Sequence, residues 1–183
     1  GKHYNFDNIA LYMQPVQKPV PTWLAASSDE TLVKAGQMGL PMMGIPFARS
    51  HNLADVKAKN DLYLGNYRQA GHIAASEIMV AMHFYLHENE QAAVDGARPY
   101  FERAISFHKT HRRPGSKIPQ LDNIKQERLA LFTTPEDTVA ILREYQKIGV
   151  THVIGMVNFG GVPMGDVRRT MELMSTEVFP KFK

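Results

Sequence analysis

Four short apolar runs, each followed by a helix-forming segment, constrain this chain most. The runs are residues 23–26, 40–47, 78–86 and 151–157. Such alternation predicts parallel strands joined by right-handed helical crossovers. Trp23 to Ala26 and Ile78 to Leu86 have almost no polar face, as strands covered on both sides do. Pro41 and Pro46 argue that the second strand ends early. The helix after the first run is expected from Thr31 to about Met38, with Gly39 as its stop. Further helices are expected from about Asp61 to Ala74, from Glu88 to about Phe107, and from Thr134 to Lys147. The third of these starts clearly, at Thr134-Pro135-Glu136-Asp137, with proline at the first position and acids in the first turn. A last helix, from about Gly165 to Val178, carries Val167, Met171, Met174 and Val178 on one face. Residues 48–59 are expected as a polar loop and 108–134 as a long flexible one. Residues 1–22 are expected as a connector, with Gly1 to Phe6 an extended piece and Gln14 to Pro21, broken by Pro15, Pro19 and Pro21, its rigid part.

The run Trp23-Leu24-Ala25-Ala26 leads straight into Ser27-Ser28-Asp29-Glu30-Thr31. Ser27 and Ser28 are good N-cap residues, and Ser27 with Glu30 fits a capping box. A helix start at the carboxyl end of a parallel strand offers unpaired N–H groups and a positive dipole end to an anion. Ser27, Ser28 and Thr31 would add hydroxyl donors for a phosphate. Asp29 and Glu30 suit the dipole but would have to turn away from phosphate. On these residues alone, an ordinary capped helix is the better reading.

Other candidates are weaker. His83 sits among apolar neighbours, which suits a packed core histidine better than a residue at a ligand pocket. His87 and Glu88 lie near the end of the same strand, and His72 belongs to a helix end. The basic run His108-Lys109, His111-Arg112-Arg113 and Lys117 reads equally as a solvated loop or an active-site lid. Gly160-Gly161 lacks the G-x-G-x-x-G pattern and reads as a tight strand-to-helix turn. No H-E-x-x-H and no His-acid pair at ligand spacing is present, so no metal is expected.

The totals exclude several classes. A formal charge of +3 is too small to argue for nucleic acid. The absence of cysteine rules out a thiolate nucleophile or metal site. No apolar run approaches the ~20 residues of a membrane span. A soluble, cytoplasmic protein is expected, with neither nucleic acid nor membrane as partner. Neither a methionine nor a cap opens the chain, and it is expected to begin within a longer protein.

Several stretches resemble the bacterial luciferase-like flavin monooxygenases. They are Gln17-Lys18-Pro19-Val20-Pro21 leading into Trp23 to Thr31, then Ala35-Gly36-Gln37-Met38-Gly39-Leu40-Pro41-Met42. Near the end they are Asn158-Phe159-Gly160-Gly161-Val162-Pro163, Met171-Glu172-Leu173-Met174 and Glu177-Val178-Phe179-Pro180. The resemblance covers nearly the whole chain. It implies a (β/α)8 TIM barrel with its site at the carboxyl ends of the strands. Four strands are legible here, so the implied fold is the C-terminal half of such a barrel, an α/β fold in a single partial domain over residues 1–183.

By position, the resemblance carries the family's phosphate contacts onto Ser27, Ser28 and Thr31. With it, phosphate binding becomes the better reading of that stretch. It implies FMN, or the deazaflavin F420 in one branch, and places the basic loop where the family has a mobile lid. The implied activity is oxygenation of a small organic substrate by reduced flavin and O2, with a flavin reductase as partner and a homo-oligomeric state. An F420-dependent oxidoreductase is the alternative within the superfamily. A non-catalytic half barrel, kept as a binding or assembly module, is the alternative outside it. No catalytic residue is assigned; the family places much of its chemistry in strands one to four, which this sequence lacks.

Overall fold

A computed structural model describes residues 1–10, 12–26, 28–109 and 119–182. The described residues of 1–22 form neither helix nor strand and are exposed throughout, as a proline-broken connector should be. The elements then run β1 (Leu24–Ala25), α1 (Asp29–Met38), β2 (Met42–Gly44), α2 (Pro46–Arg49), α3 (Leu53–Gln69), β3 (Ile78–Leu86) and α4 (Glu90–Lys109). They continue with α5 (Leu121–Gln126), β4 (Leu131–Thr133), α6 (Pro135–Lys147), β5 (His152–Met156) and α7 (Met164–Leu173). A π turn, Met174–Val178, and a 3-10 turn, Phe179–Phe182, follow.

The five strands form one parallel sheet, as alternation of strand and helix requires. β3 is its centre. Ile78 to Val80 pair with β2, Met79 to His83 pair with β5, and Phe84 to Leu86 pair with β4. β1 pairs with β2, Leu24 opposite Met42. Side chains alternate across the sheet, and Val80, Met82 and Phe84 of β3 share one face. Each is at most 3% exposed. Burying an apolar side chain of that size contributes on the order of 1.5–3 kcal/mol, so this face anchors the core. The sheet curls strongly: Trp23, beside β1, meets His152 of β5 edge-on at 5.3 Å between ring centroids.

Three departures from the sequence reading have physical causes. The expected loop 48–59 is mostly helix. Asn52 caps α3, its side-chain oxygen accepting from the Asp55 N–H at 2.9 Å. Val56, Asn60, Tyr63 and Tyr67 then form the buried stripe. The many polar residues of the first turns hid that cap. The expected loop 108–134 also holds structure, since α5 and β4 lie within it and α4 extends to Lys109. Residues 110–118, with Arg112 and Arg113, lie outside the described residues. β4 is a fifth strand beside the four expected. Its three residues carry no periodicity of their own, and its ladder to β3 comes from tertiary pairing. Finally, β1 is not covered on both sides, because Ala25 is exposed.

Cross-links hold the helices in register with the sheet. The Asn60 side-chain amide donates to the Ile148 carbonyl at 2.9 Å, joining α3 to the end of α6. The Tyr145 hydroxyl donates to the Arg128 carbonyl at 2.8 Å. The Thr170 hydroxyl accepts from the Leu86 N–H at 3.1 Å, which fixes α7 against the carboxyl end of β3. Buried polar groups of this kind are costly unless paired, so each link also selects one packing.

Candidate active site

The carboxyl ends of β1, β2, β3 and β5 lie side by side, because all strands run in one direction. That is the end where parallel α/β sheets bind ligands. At β1, the helix cap is one residue later than expected. Ser28 is the N-cap of α1, and Thr31 takes the reciprocal role assigned above to Glu30. The Ser28 N–H donates to Thr31 Oγ1 at 3.1 Å, and the Thr31 N–H donates to Ser28 Oγ at 3.4 Å. The two hydroxyls lie 2.8 Å apart. The register shifts because Thr31 then stands at the third helical position, from which its short hydroxyl reaches back to the cap N–H. Ser27 lies outside the described residues. The structure thus brings Ser28 and Thr31 together at a helix start, with Asp29 and Glu30 in the same first turn.

His83 faces the opposite side of the sheet from Val80, Met82 and Phe84. Met79 and Ala81 share its face, and Met156 of β5 stands opposite it. Three phenyl rings enclose it. Phe47, just past β2, lies at 4.8 Å between centroids, Phe159, just past β5, at 4.8 Å, and Phe101 of α4 at 5.4 Å. His83 is 7% exposed, and its Nδ1 is buried with no hydrogen-bond partner. Burial in this apolar cage pushes its pKa from 6.5 down to about 4, so the imidazole is neutral near pH 7. The sequence reading of a packed histidine matches the cage. It missed the rings that form it, because Phe47, Phe101 and Phe159 come from three separate segments and no spacing joins them.

The Gly-Gly turn sets one wall of the cage. Gly160 has φ +57°, and a Cβ on it would stand 1.8 Å from the Tyr100 carbonyl oxygen. Only glycine lets the turn lie this close to α4. The Arg103 guanidinium donates to the Gly160 carbonyl at 3.2 Å and lies over the Tyr100 ring. This clasp holds Phe159 against His83. At the end of β3, His87 Nδ1 accepts from the Asn89 N–H at 3.1 Å and lies 3.2 Å from a Glu88 carboxylate oxygen. His72 is remote from this end. Its Nε2 lies 3.1 Å from the Gln37 carbonyl, at the ends of α1 and α3. Among the described residues, no group of three His, Asp or Glu could hold a metal.

Parallel strands, helical crossovers and a carboxyl-end cluster of capped helix start and aromatic cage define the class: an α/β fold with a parallel sheet, of the kind whose ligand sites lie at that end. The luciferase-like monooxygenase family model matches residues 1–152. The chain belongs to that family. Solved structures share the fold. A monooxygenase from Streptomyces bottropensis aligns over 100% of this chain and 55% of its own, with 21% identity and a TM-score of 0.80. A coenzyme F420-dependent tetrahydromethanopterin reductase from Methanopyrus kandleri aligns over 91% and 52%, with 19% identity and a TM-score of 0.63. The oxygenating constituent of a Pseudomonas putida 3,6-diketocamphane monooxygenase, solved with FMN, aligns over 87% and 47%, with 16% identity and a TM-score of 0.62. The chain therefore spans about half the length of these structures. No curated protein matches it. No helix among the described residues is long and apolar enough to cross a membrane.

Proposed function

We propose that this chain is the C-terminal half of a barrel in a flavin-dependent monooxygenase, and that the start of α1 holds the phosphate of FMN. The observation that carries the reading is the hydroxyl pair of Ser28 and Thr31 at a helix N-terminus, on the carboxyl end of β1, in a chain of this family. The donor set suits a phosphate. Thr31 Oγ1 donates to the Ser28 carbonyl at 2.8 Å and lies 2.8 Å from Ser28 Oγ, so a bound phosphate would take over hydroxyl protons now used within the cap, and the first-turn N–H groups carry the positive end of the dipole. Ser27 belongs to the same proposed cradle by position. When bound, reduced flavin supplies the electrons that activate O2 for transfer of one oxygen atom to a small organic substrate.

The chain's own residues do the rest. Ser28 and Thr31 anchor one end of the cofactor and so fix the distance of its reactive end from the strand ends. The Phe47, Phe101 and Phe159 cage keeps water from that end of the inner face, and neutral His83 adds no charge there. The remaining wall comes from outside these 183 residues. A flavin reductase as electron source and a cytoplasmic location belong to this same reading. F420 carries an equivalent phosphate, and an F420-dependent relative shares the fold, so the cradle alone does not choose between them.

Titration of FMN and F420 into the purified chain, read by fluorescence and by calorimetry, tests the proposal. FMN should bind, and Ser28→Ala with Thr31→Ala should weaken it by on the order of tenfold to a hundredfold, as loss of two charge-assisted hydrogen bonds does. Riboflavin, which lacks the phosphate, should bind the unaltered chain and the double variant alike. Equal FMN affinity for the two proteins would remove the phosphate assignment.

A further inference from the structure

His83 keeps a buried nitrogen unused. Its Nδ1 is enclosed and has no hydrogen-bond partner among the described residues. A neutral imidazole carries one donor and one acceptor, and leaving either unmet inside an apolar shell lowers stability. A fourth phenyl ring at this position would pack against the other three with no such loss. Buried polar atoms are almost always satisfied, so an orphan at the end of the sheet where ligands bind points to a partner that arrives with a ligand. The enclosure is made by this chain itself, through Phe47, Phe101 and Phe159.

The three rings are not equivalent. Phe101 is 1% exposed and packs edge-on to Phe132 of β4, 5.6 Å between centroids. Phe159 is 7% exposed and is held by the Gly160 clasp on α4. Phe47 is half-buried and sits on the four-residue helix α2, whose N-cap residue Ile45 makes no side-chain cap bond. A change of rotamer at Phe47 therefore opens the cage without moving a core ring, whereas displacing either of the others disturbs α4.

We propose that His83 is the polar contact of a substrate subsite entered past Phe47. Its Nδ1 meets the one hydroxyl or carbonyl of an uncharged, otherwise apolar small molecule, whose body lies on the rings of Phe101 and Phe159 in the place of Phe47. A charged group is disfavoured there, because phenyl rings offer it neither counter-ion nor water. This assignment rests on the reading of this end of the sheet as the oxygenation site, and it names the chemical class of the substrate.

Benzyl alcohol and toluene test it. They differ by one hydroxyl, which can donate or accept and so suits either imidazole tautomer. In the full chain with isotope-labelled histidine, benzyl alcohol should shift the His83 Nδ1 resonance, and toluene should not. His83→Phe should weaken benzyl alcohol by on the order of tenfold and toluene by less than about twofold. Benzoate, of the same shape but charged, should bind roughly tenfold or more weaker than benzyl alcohol. Phe47→Ala should speed modification of His83 by diethyl pyrocarbonate, read on its own peptide by mass spectrometry, and benzyl alcohol should slow it again. Circular dichroism checks that each variant is folded, and the resonance shift needs no variant. A wild-type chain that binds neither compound, or equal loss of both in His83→Phe, would overturn the proposal. So would an Nδ1 resonance indifferent to bound benzyl alcohol, which would leave Nδ1 to an internal water. The phosphate reading is tested separately, on the ratio of FMN to riboflavin affinity, which His83→Phe should leave unchanged.

Discussion

His83 carries the clearest consequence at the scale of one residue. Its pKa is about 4 in the folded chain, against 6.5 ordinarily, because its apolar cage excludes the charged form. The unfolded chain therefore takes up the proton first as pH falls. Stability from this group is complete above pH 6.5, is lost as pH drops from 6.5 towards 4, and changes no further below that. The loss is about 3 kcal/mol if the whole difference is realised. Replacing His83 with Phe removes both the proton and the unpartnered Nδ1. Urea unfolding of His83→Phe should show at least wild-type stability at pH 7 and a smaller fall between pH 7 and pH 4.5. An unchanged fall would mean that the cage admits water to the imidazole.

At the scale of elements, the turn after β5 and helix α4 form one unit. The clasp of Gly160 on Tyr100 and Arg103 sets where Phe159 stands. Gly160→Ala requires both a positive φ on an alanine and a move of the α4 backbone. It should cost about 2–4 kcal/mol and lower Tm by on the order of 5–15 °C. Near-ultraviolet circular dichroism should change with it, since the three phenyl rings lose their common packing. Gly161→Ala has no such backbone obstacle, its nearest neighbour being the Arg103 guanidinium at 3.2 Å. It should destabilise less, through its positive φ alone.

For the whole molecule, the uncovered face of β5 and the groove beside it dominate. An apolar surface dye should bind the chain at that groove, which Phe84 floors and Leu142, Met171 and Phe179 wall, and Phe179→Lys, which puts a charge on its wall, should lower the fluorescence. Unchanged fluorescence in the variant would place the dye elsewhere. Nothing local marked this surface in advance. Val153 and Ile154 look like ordinary buried strand residues, and their exposure follows from what stands next to β5. By contrast, the cap at Ser28 and the stop at Gly39 were legible, because caps are chemistry between residues three or four apart. The capping register moved by one because Ser27 and Ser28 are equally good caps. α3 hid behind a polar first turn, and β4 behind its shortness.

Local chemistry in the sequence determined the order of strands and helices, their parallel direction and the hydroxyl pair at the start of α1. The family likeness was legible too, because it is carried by contiguous motifs. Tertiary structure alone decided which rings meet at His83 and that the Gly-Gly turn clasps α4. Each of these depends on residues far apart in the chain that are brought together by the curl of the sheet, and no spacing along the sequence encodes that distance.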